Sequence, residues 1–360
     1  MGYRLQEIRK TLSQTGLDGI LITKPENRRY VSGFTGSAGL VLISQHSAKL
    51  FTDFRYTEQA AKQAVGYEVI RHGTTQETNL QTMLAKAIAG EQLQTIGFES
   101  DFVTFQAYTT LKKNLPHCTL EPVELDHLRM VKDEAEIRLI QRAVDIADTA
   151  FTHILSFLKP GITEYEVALE IEHKMRQLGA EKPAFDTIVA SGTRGSLPHA
   201  MPLPNKKLTY GEFVTMDFGA VYQGYSSDIT RTVVLGRANA KQQELYNLVL
   251  KAQLAGVQAV SPGKTCSEVD YAARSIIEQA GYGKFFGHGL GHGVGLAIHE
   301  EPRLSPSNET MKLVSGMVVT VEPGVYLPDW GGLRIEDTVL VSAEGSKVLT
   351  ASSKLLIELE

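Results

Sequence analysis

The densest concentration of potential chemistry is Phe286-Gly-His288-Gly-Leu-Gly-His292-Gly-Val-Gly-Leu-Ala-Ile-His299-Glu300. Closely spaced glycines let backbone fold tightly around imidazoles, which makes a poor helix and a good site. Carboxylates on either side form a second pattern. Phe213-Val-Thr-Met-Asp-Phe-Gly219 recurs as Val318-Val-Thr-Val-Glu-Pro-Gly324, so Asp217 and Glu322 each end a β-rich run and precede a glycine by two residues. Lys159-Pro-Gly-Ile-Thr-Glu-Tyr-Glu-Val167 recurs as Ser261-Pro-Gly-Lys-Thr-Cys-Ser-Glu-Val269 in the same order and at nearly the same spacing. Two matches in register mark an internal duplication. Each copy offers another carboxylate on its next strand: Asp228 in Ser-Ser-Asp-Ile-Thr-Arg-Thr and Glu336 in Leu-Arg-Ile-Glu-Asp-Thr-Val. Packing the copies about a two-fold axis brings the four carboxylates together, and buried like charges stay ionised only beside a compensating cation. With His292 as a fifth ligand the set is oxygen-rich and hard; it suits Mn²⁺ best, and Co²⁺ or Zn²⁺ by affinity. Arg334 stands two residues before Glu336 on the same strand face, where it can orient carboxylates or bind one from a substrate.

These residues need a scaffold, and each copy reads as helix, Pro-Gly turn, helix, then strands. Ahead of them lies a different pattern. The first helix carries Leu5, Ile8 and Leu12 on one face. Strands over 19–23, 39–43, 49–52 and 95–98 alternate with helices near 56–65, 78–89 and 104–114, the signature of an α/β layered domain. The pattern breaks around Leu120-Glu-Pro-Val-Glu-Leu-Asp-His127 before a charged helix opens at Lys132-Asp133-Glu134. The expected domains are therefore 1–127 and 128–360.

A length of 360 residues accommodates about two domains. The 36 Lys and Arg against 41 Asp and Glu leave a net charge of −5, without the cationic field that holds nucleic acid or anionic lipid. No apolar run follows Met1-Gly2-Tyr3-Arg4 and none later approaches a membrane span, so no membrane partner and a cytoplasmic protein are expected. Cys118 and Cys266 lie outside any disulfide or zinc spacing.

The Asp-x10-Asp spacing, the His-Gly-x-Gly-His context, Glu-Pro-Gly-x-Tyr and Arg-Ile-Glu-Asp together resemble the creatinase/aminopeptidase P/prolidase family of metallopeptidases over essentially the whole chain. The resemblance implies an α/β protein: a creatinase-type N-terminal α/β domain, then a pita-bread α+β catalytic domain with an internal pseudo-two-fold repeat. It implies two divalent ions held by Asp217, Asp228, His292, Glu322 and Glu336, with Asp228 and Glu336 bridging and a metal-held hydroxide attacking the Xaa-Pro bond. His199 in Leu-Pro-His-Ala-Met-Pro, His288 and His299 match positions that line the site and can donate to the scissile carbonyl. Glu322 is the expected proton acceptor. Tyr326 helps close the pocket, and His199, His299, Tyr326 and Arg334 are the expected substrate contacts.

Gly33-Phe-Thr-Gly-Ser-Ala-Gly39 and Phe51-Thr-Asp-Phe-Arg-Tyr56 resemble N-terminal segments of aminopeptidase P-like proteins. That favours an Xaa-Pro aminopeptidase acting on proline-containing peptides, with an Xaa-Pro dipeptidase (prolidase) as the alternative and a homodimer as the expected assembly. Methionine aminopeptidases usually lack such an N-terminal domain, whereas creatinases and the non-catalytic binding relatives have lost ligands that this chain keeps. Asp217-Phe-Gly219 mimics a kinase metal motif, but no His-Arg-Asp loop accompanies it.

Overall fold

The computed structural model describes residues 2–360 and divides into two compact units after Arg129. The first is built on a six-stranded mixed sheet in the order 68–71, 48–52, 40–44, 19–22, 95–99, 119–123. Leu21, Leu42, Phe51 and Ile96 of the sheet pack against Leu84 and Ile88 of the helix Leu80–Gly90. Three elements here carry no clear sequence signal. Glu68–Arg71 and Thr119–Val123 are edge strands with largely uncovered side chains, so neither needs an apolar run. The helix Pro25–Ser32 is short and polar, with proline in its first turn.

The second unit realises the duplication. In both Pro-Gly segments the glycine, Gly161 or Gly263, takes a left-handed φ of 93° or 86° that a side chain resists. The threonine that follows caps a helix. Thr163 and Thr265 each accept from the backbone N–H of Glu166 or Glu268, whose carboxylate accepts in return from the threonine N–H. The helices Glu134–Phe157 and Glu164–Gln177 cover one sheet, burying Ile146, Val167 and Ile171 against Val214, Met216 and Val233. Equivalent helices, Ala240–Ala259 and Cys266–Gln279, bury Val249, Val269 and Ile277 with Val319, Val321 and Val339. Along Phe213–Phe218, Val214 and Met216 point to the helices, which sends Thr215 and Asp217 to the other face.

Strand register defines which further residues of the two copies correspond. Met216 lies opposite Arg231, and its counterpart Val321 lies opposite Asp337. Arg231 and Asp337 are therefore equivalent, which equates Thr230 with Glu336 and Asp228 with Arg334. The second carboxylates are not counterparts of one another. Nor do they sit within strands, since Asp228 and Glu336 immediately precede Ile229–Leu235 and Asp337–Ser342. Equivalent residues instead meet across the pseudo-axis: Arg231 pairs with Asp337 at 2.8 Å, and the Thr230 hydroxyl donates to Glu336 at 2.7 Å.

Because both capping boxes are built identically, Thr163→Ala and Thr265→Ala should each cost about 1 kcal/mol in denaturant unfolding. No change in either midpoint would remove the boxes as determinants of the repeat.

Candidate metal centre

Asp217, Asp228 and Glu336 converge until one oxygen from each lies within 4.8 Å of the others. His292 Nε2 stands 3.6 Å from Asp228 Oδ2 and 3.3 Å from Glu322 Oε1. Asp228 is thus close both to Asp217 and Glu336 and to His292. His292 Nδ1 donates to the Gly293 carbonyl at 3.0 Å, leaving Nε2 with a free lone pair. Burial, and then the neighbouring His299, pull His292 down to about 3, which keeps the ring neutral.

The donor set itself tests for a cation. Asp217 Oδ1 and Glu336 Oε1 are buried without a hydrogen-bond partner among the described residues. Burial followed by the neighbouring carboxylates holds Asp228 and Glu336 well above the normal carboxylate range, and burial raises Glu322 to about 7. One buried guanidinium is hydrogen-bonded to a carboxylate of this cluster. Two divalent ions fit the unsatisfied oxygens and the excess charge, and the hard donors exclude a structural zinc of the thiolate kind.

That guanidinium belongs to Arg334, and its placement differs from the simplest reading of strand periodicity. It is buried, and its Nη2 donates to Asp217 at 2.5 Å, not to Glu336. Glu336 is reached through a relay: Arg334 Nε donates to Thr230 Oγ1 at 3.0 Å, and that hydroxyl donates onward to Glu336. Arg334 Nη1 donates to the Tyr326 hydroxyl at 2.8 Å, and Tyr326 donates to His288 Nε2 at 3.0 Å. His288 completes the chain by giving its Nδ1 proton to the Gly289 carbonyl at 2.8 Å. Both ring nitrogens of His288 are occupied here, so it buttresses Arg334 through Tyr326 while also lining the cavity.

His199 and His299 line the same cavity of 590 Å³ as the five candidate ligands. The His299 ring packs edge-on against His292 with centroids 4.4 Å apart. Several residues around the centre escaped the sequence reading. Thr320, whose hydroxyl accepts from His292 N–H and donates to Glu322, lies two residues before a ligand on the same strand face, a signal the repeat does carry. Phe185, Ile188, Met201 and Arg303 line the cavity itself, and no spacing marks them.

Compared with known proteins, residues 138–343 match metallopeptidase family M24 and residues 4–131 match the creatinase/prolidase N-terminal domain. The Xaa-Pro dipeptidase of Pyrococcus horikoshii is 41% identical over 361 residues, covering 99% of each chain. Among solved structures, the Xaa-Pro dipeptidase from Bacillus anthracis is similar with a TM-score of 0.95 and 46% identity, over 99% of both chains. The X-Pro aminopeptidase from Thermotoga maritima follows with 0.89 and 36%, again over 99% of both. The architecture is the creatinase-type domain followed by the pita-bread domain.

Electrostatics sets a test in which no substrate is needed. Glu336→Gln should raise the melting temperature of the chelated protein by removing the cost of burying or protonating one crowded acid, yet bind fewer Mn²⁺ ions and gain less stability from them. Undiminished metal content with unchanged melting would take Glu336 out of the centre.

Proposed function

The chain belongs to metallopeptidase family M24, and we propose that within it this protein is an Xaa-Pro dipeptidase. The observation that carries this reading is Arg303. A dipeptide places its proline carboxylate inside the pocket and needs a cation there, whereas a longer peptide needs open space. Arg303 lines the cavity, is exposed, and forms no ion pair among the described residues, though its charge acts on Glu322. Arg334, the other candidate, is fully engaged by Asp217, Thr230 and Tyr326. The N-terminal segments that favoured an aminopeptidase do not discriminate, because a relative named as a dipeptidase matches the chain across 99% of its length.

Asp217, Asp228, His292, Glu322 and Glu336 would hold two divalent ions, Mn²⁺ by donor hardness. When bound, they supply Lewis acidity toward the carbonyl and lower the pKa of water. The protein residues do the rest. The nitrogen before which cleavage occurs has no N–H, so the proline ring is recognised by shape, against the wall of Phe185, Ile188, Pro198 and Met201. Arg303 clamps the carboxylate and fixes the register of the scissile bond. His199 and His299 donate ring N–H bonds to the carbonyl oxygen as negative charge develops on it. Glu322, whose Oε1 is held by Thr320, accepts at Oε2 the proton released by the attacking water.

Arg303→Ala should lower kcat/KM for Xaa-Pro by about 10- to 100-fold, the worth of a charge-assisted hydrogen bond, and leave Xaa-Pro-Xaa cleavage near the wild-type level. Equal losses on both, or tripeptides cut faster than dipeptides by the wild type, would restore the aminopeptidase reading.

His199→Ala and His299→Ala should each reduce turnover by about 10²-fold while metal content stays normal. Loss of metal in either would make that histidine a ligand instead.

A further inference from the structure

One buried acid near the site has no part in the chemistry described above. Glu164, in the first turn of Glu164–Gln177, is completely shielded from solvent. Its Oε1 accepts from Ser191 N–H at 2.8 Å and from the Ser191 hydroxyl at 3.0 Å. Oε2 accepts from Arg194 Nε at 3.0 Å and from Leu203 N–H at 3.2 Å. Arg194 extends the grip by donating through Nη2 to the Met201 carbonyl at 2.6 Å. A single carboxylate therefore ties down both ends of the segment 191–203, which carries His199 at its centre.

The middle of that segment is fixed too. A Cβ on Gly195 would stand 2.9 Å from the Gly332 carbonyl oxygen, so only glycine lets the segment lie directly on the strand that ends in Arg334. Arg334 Nη1 also donates to the carbonyl of Pro198, the residue before His199, at 3.4 Å.

The duplication supplies an internal control. The counterpart of Glu164 is Cys266, equally buried at the first turn of its helix. Both residues make the same backbone bond, Glu164 N–H to Lys206 O and Cys266 N–H to Met311 O, each at 3.0 Å. The fold builds this helix start with or without an acid, so the carboxylate serves what differs between the copies, the histidine-bearing segment.

We propose that Glu164 is a positioning residue that holds His199 in register with the scissile carbonyl. This rests on the role given to His199 above. In Glu164→Gln the amide presents N–H where Arg194 and Leu203 also present N–H, so the clamp opens. Turnover of Xaa-Pro should fall about 10- to 100-fold, as a slightly misplaced catalytic group predicts. KM should stay within about twofold and metal content should be unchanged, because the lost interaction acts in the transition state. In a His199→Ala background the same substitution should cost less than about twofold, since coupled residues are not additive. A full loss in that background, or no loss in the wild-type background, overturns the proposal. Should Glu164→Gln fail to fold, Arg194→Ala leaves the bonds of Glu164 to Ser191 and Leu203 in place and carries the same cycle. Amide hydrogen exchange over 192–203 should quicken in either variant, and unchanged exchange also overturns the clamp. If the wild-type enzyme cleaves no Xaa-Pro bond with any metal, the dipeptidase reading fails, and exchange alone then decides the clamp.

Discussion

Four carboxylates and one imidazole meet at the floor of a cavity with little of their own surface exposed, and the surrounding structure answers to their mutual repulsion. Asp217, Asp228 and Glu336 are buried and Glu322 is half-buried. Desolvation and like charge both work against ionisation, so the centre is stable with its protons or with cations. An apolar replacement would be more stable and would do nothing. The energy stored in this unfavourable arrangement is what makes the site able to bind divalent ions.

Arg334 is the protein's own partial answer. It places one positive charge against Asp217 and reaches Glu336 through Thr230. Since a guanidinium must be held at every nitrogen to keep its direction, Tyr326 and His288 behind it form part of the centre. Burial holds Tyr326 at about 12 and lowers His288 to about 4, so both stay neutral and add no further charge. A second buried network stands behind the strands. Asp337 accepts from Arg231, Gln253 and Lys354, and fixes the backbone beside Glu336.

The duplicated architecture explains why this centre is not symmetric. Only Asp217 and Glu322 occupy equivalent positions; Asp228 corresponds to Arg334 and Glu336 to Thr230. Divergence placed a cation where the other copy has a carboxylate and an alcohol where the other has an acid. His292 then enters from one copy alone, and the two halves of the centre acquire different ligands.

Much was legible in the chain itself. Capping boxes, left-handed glycines and the alternation along Phe213–Phe218 are local, set by residues within a few positions of one another, so the repeat and its first carboxylates could be read directly. The same holds for the isolated burst of glycines around His292. What lay beyond reach was decided by contacts between distant segments. Edge strands bury too little to leave a pattern, Arg303 is marked by no spacing, and strand register determined that Asp228 and Glu336 are not counterparts. Hydrogen-bond direction is equally a tertiary property: Arg334 faces Asp217, and His288 spends both nitrogens on Tyr326 and Gly289. Side-chain type and spacing determine which groups can do chemistry, but a buried polar group must satisfy every donor and acceptor at once, and only the assembled fold settles which partner each one takes.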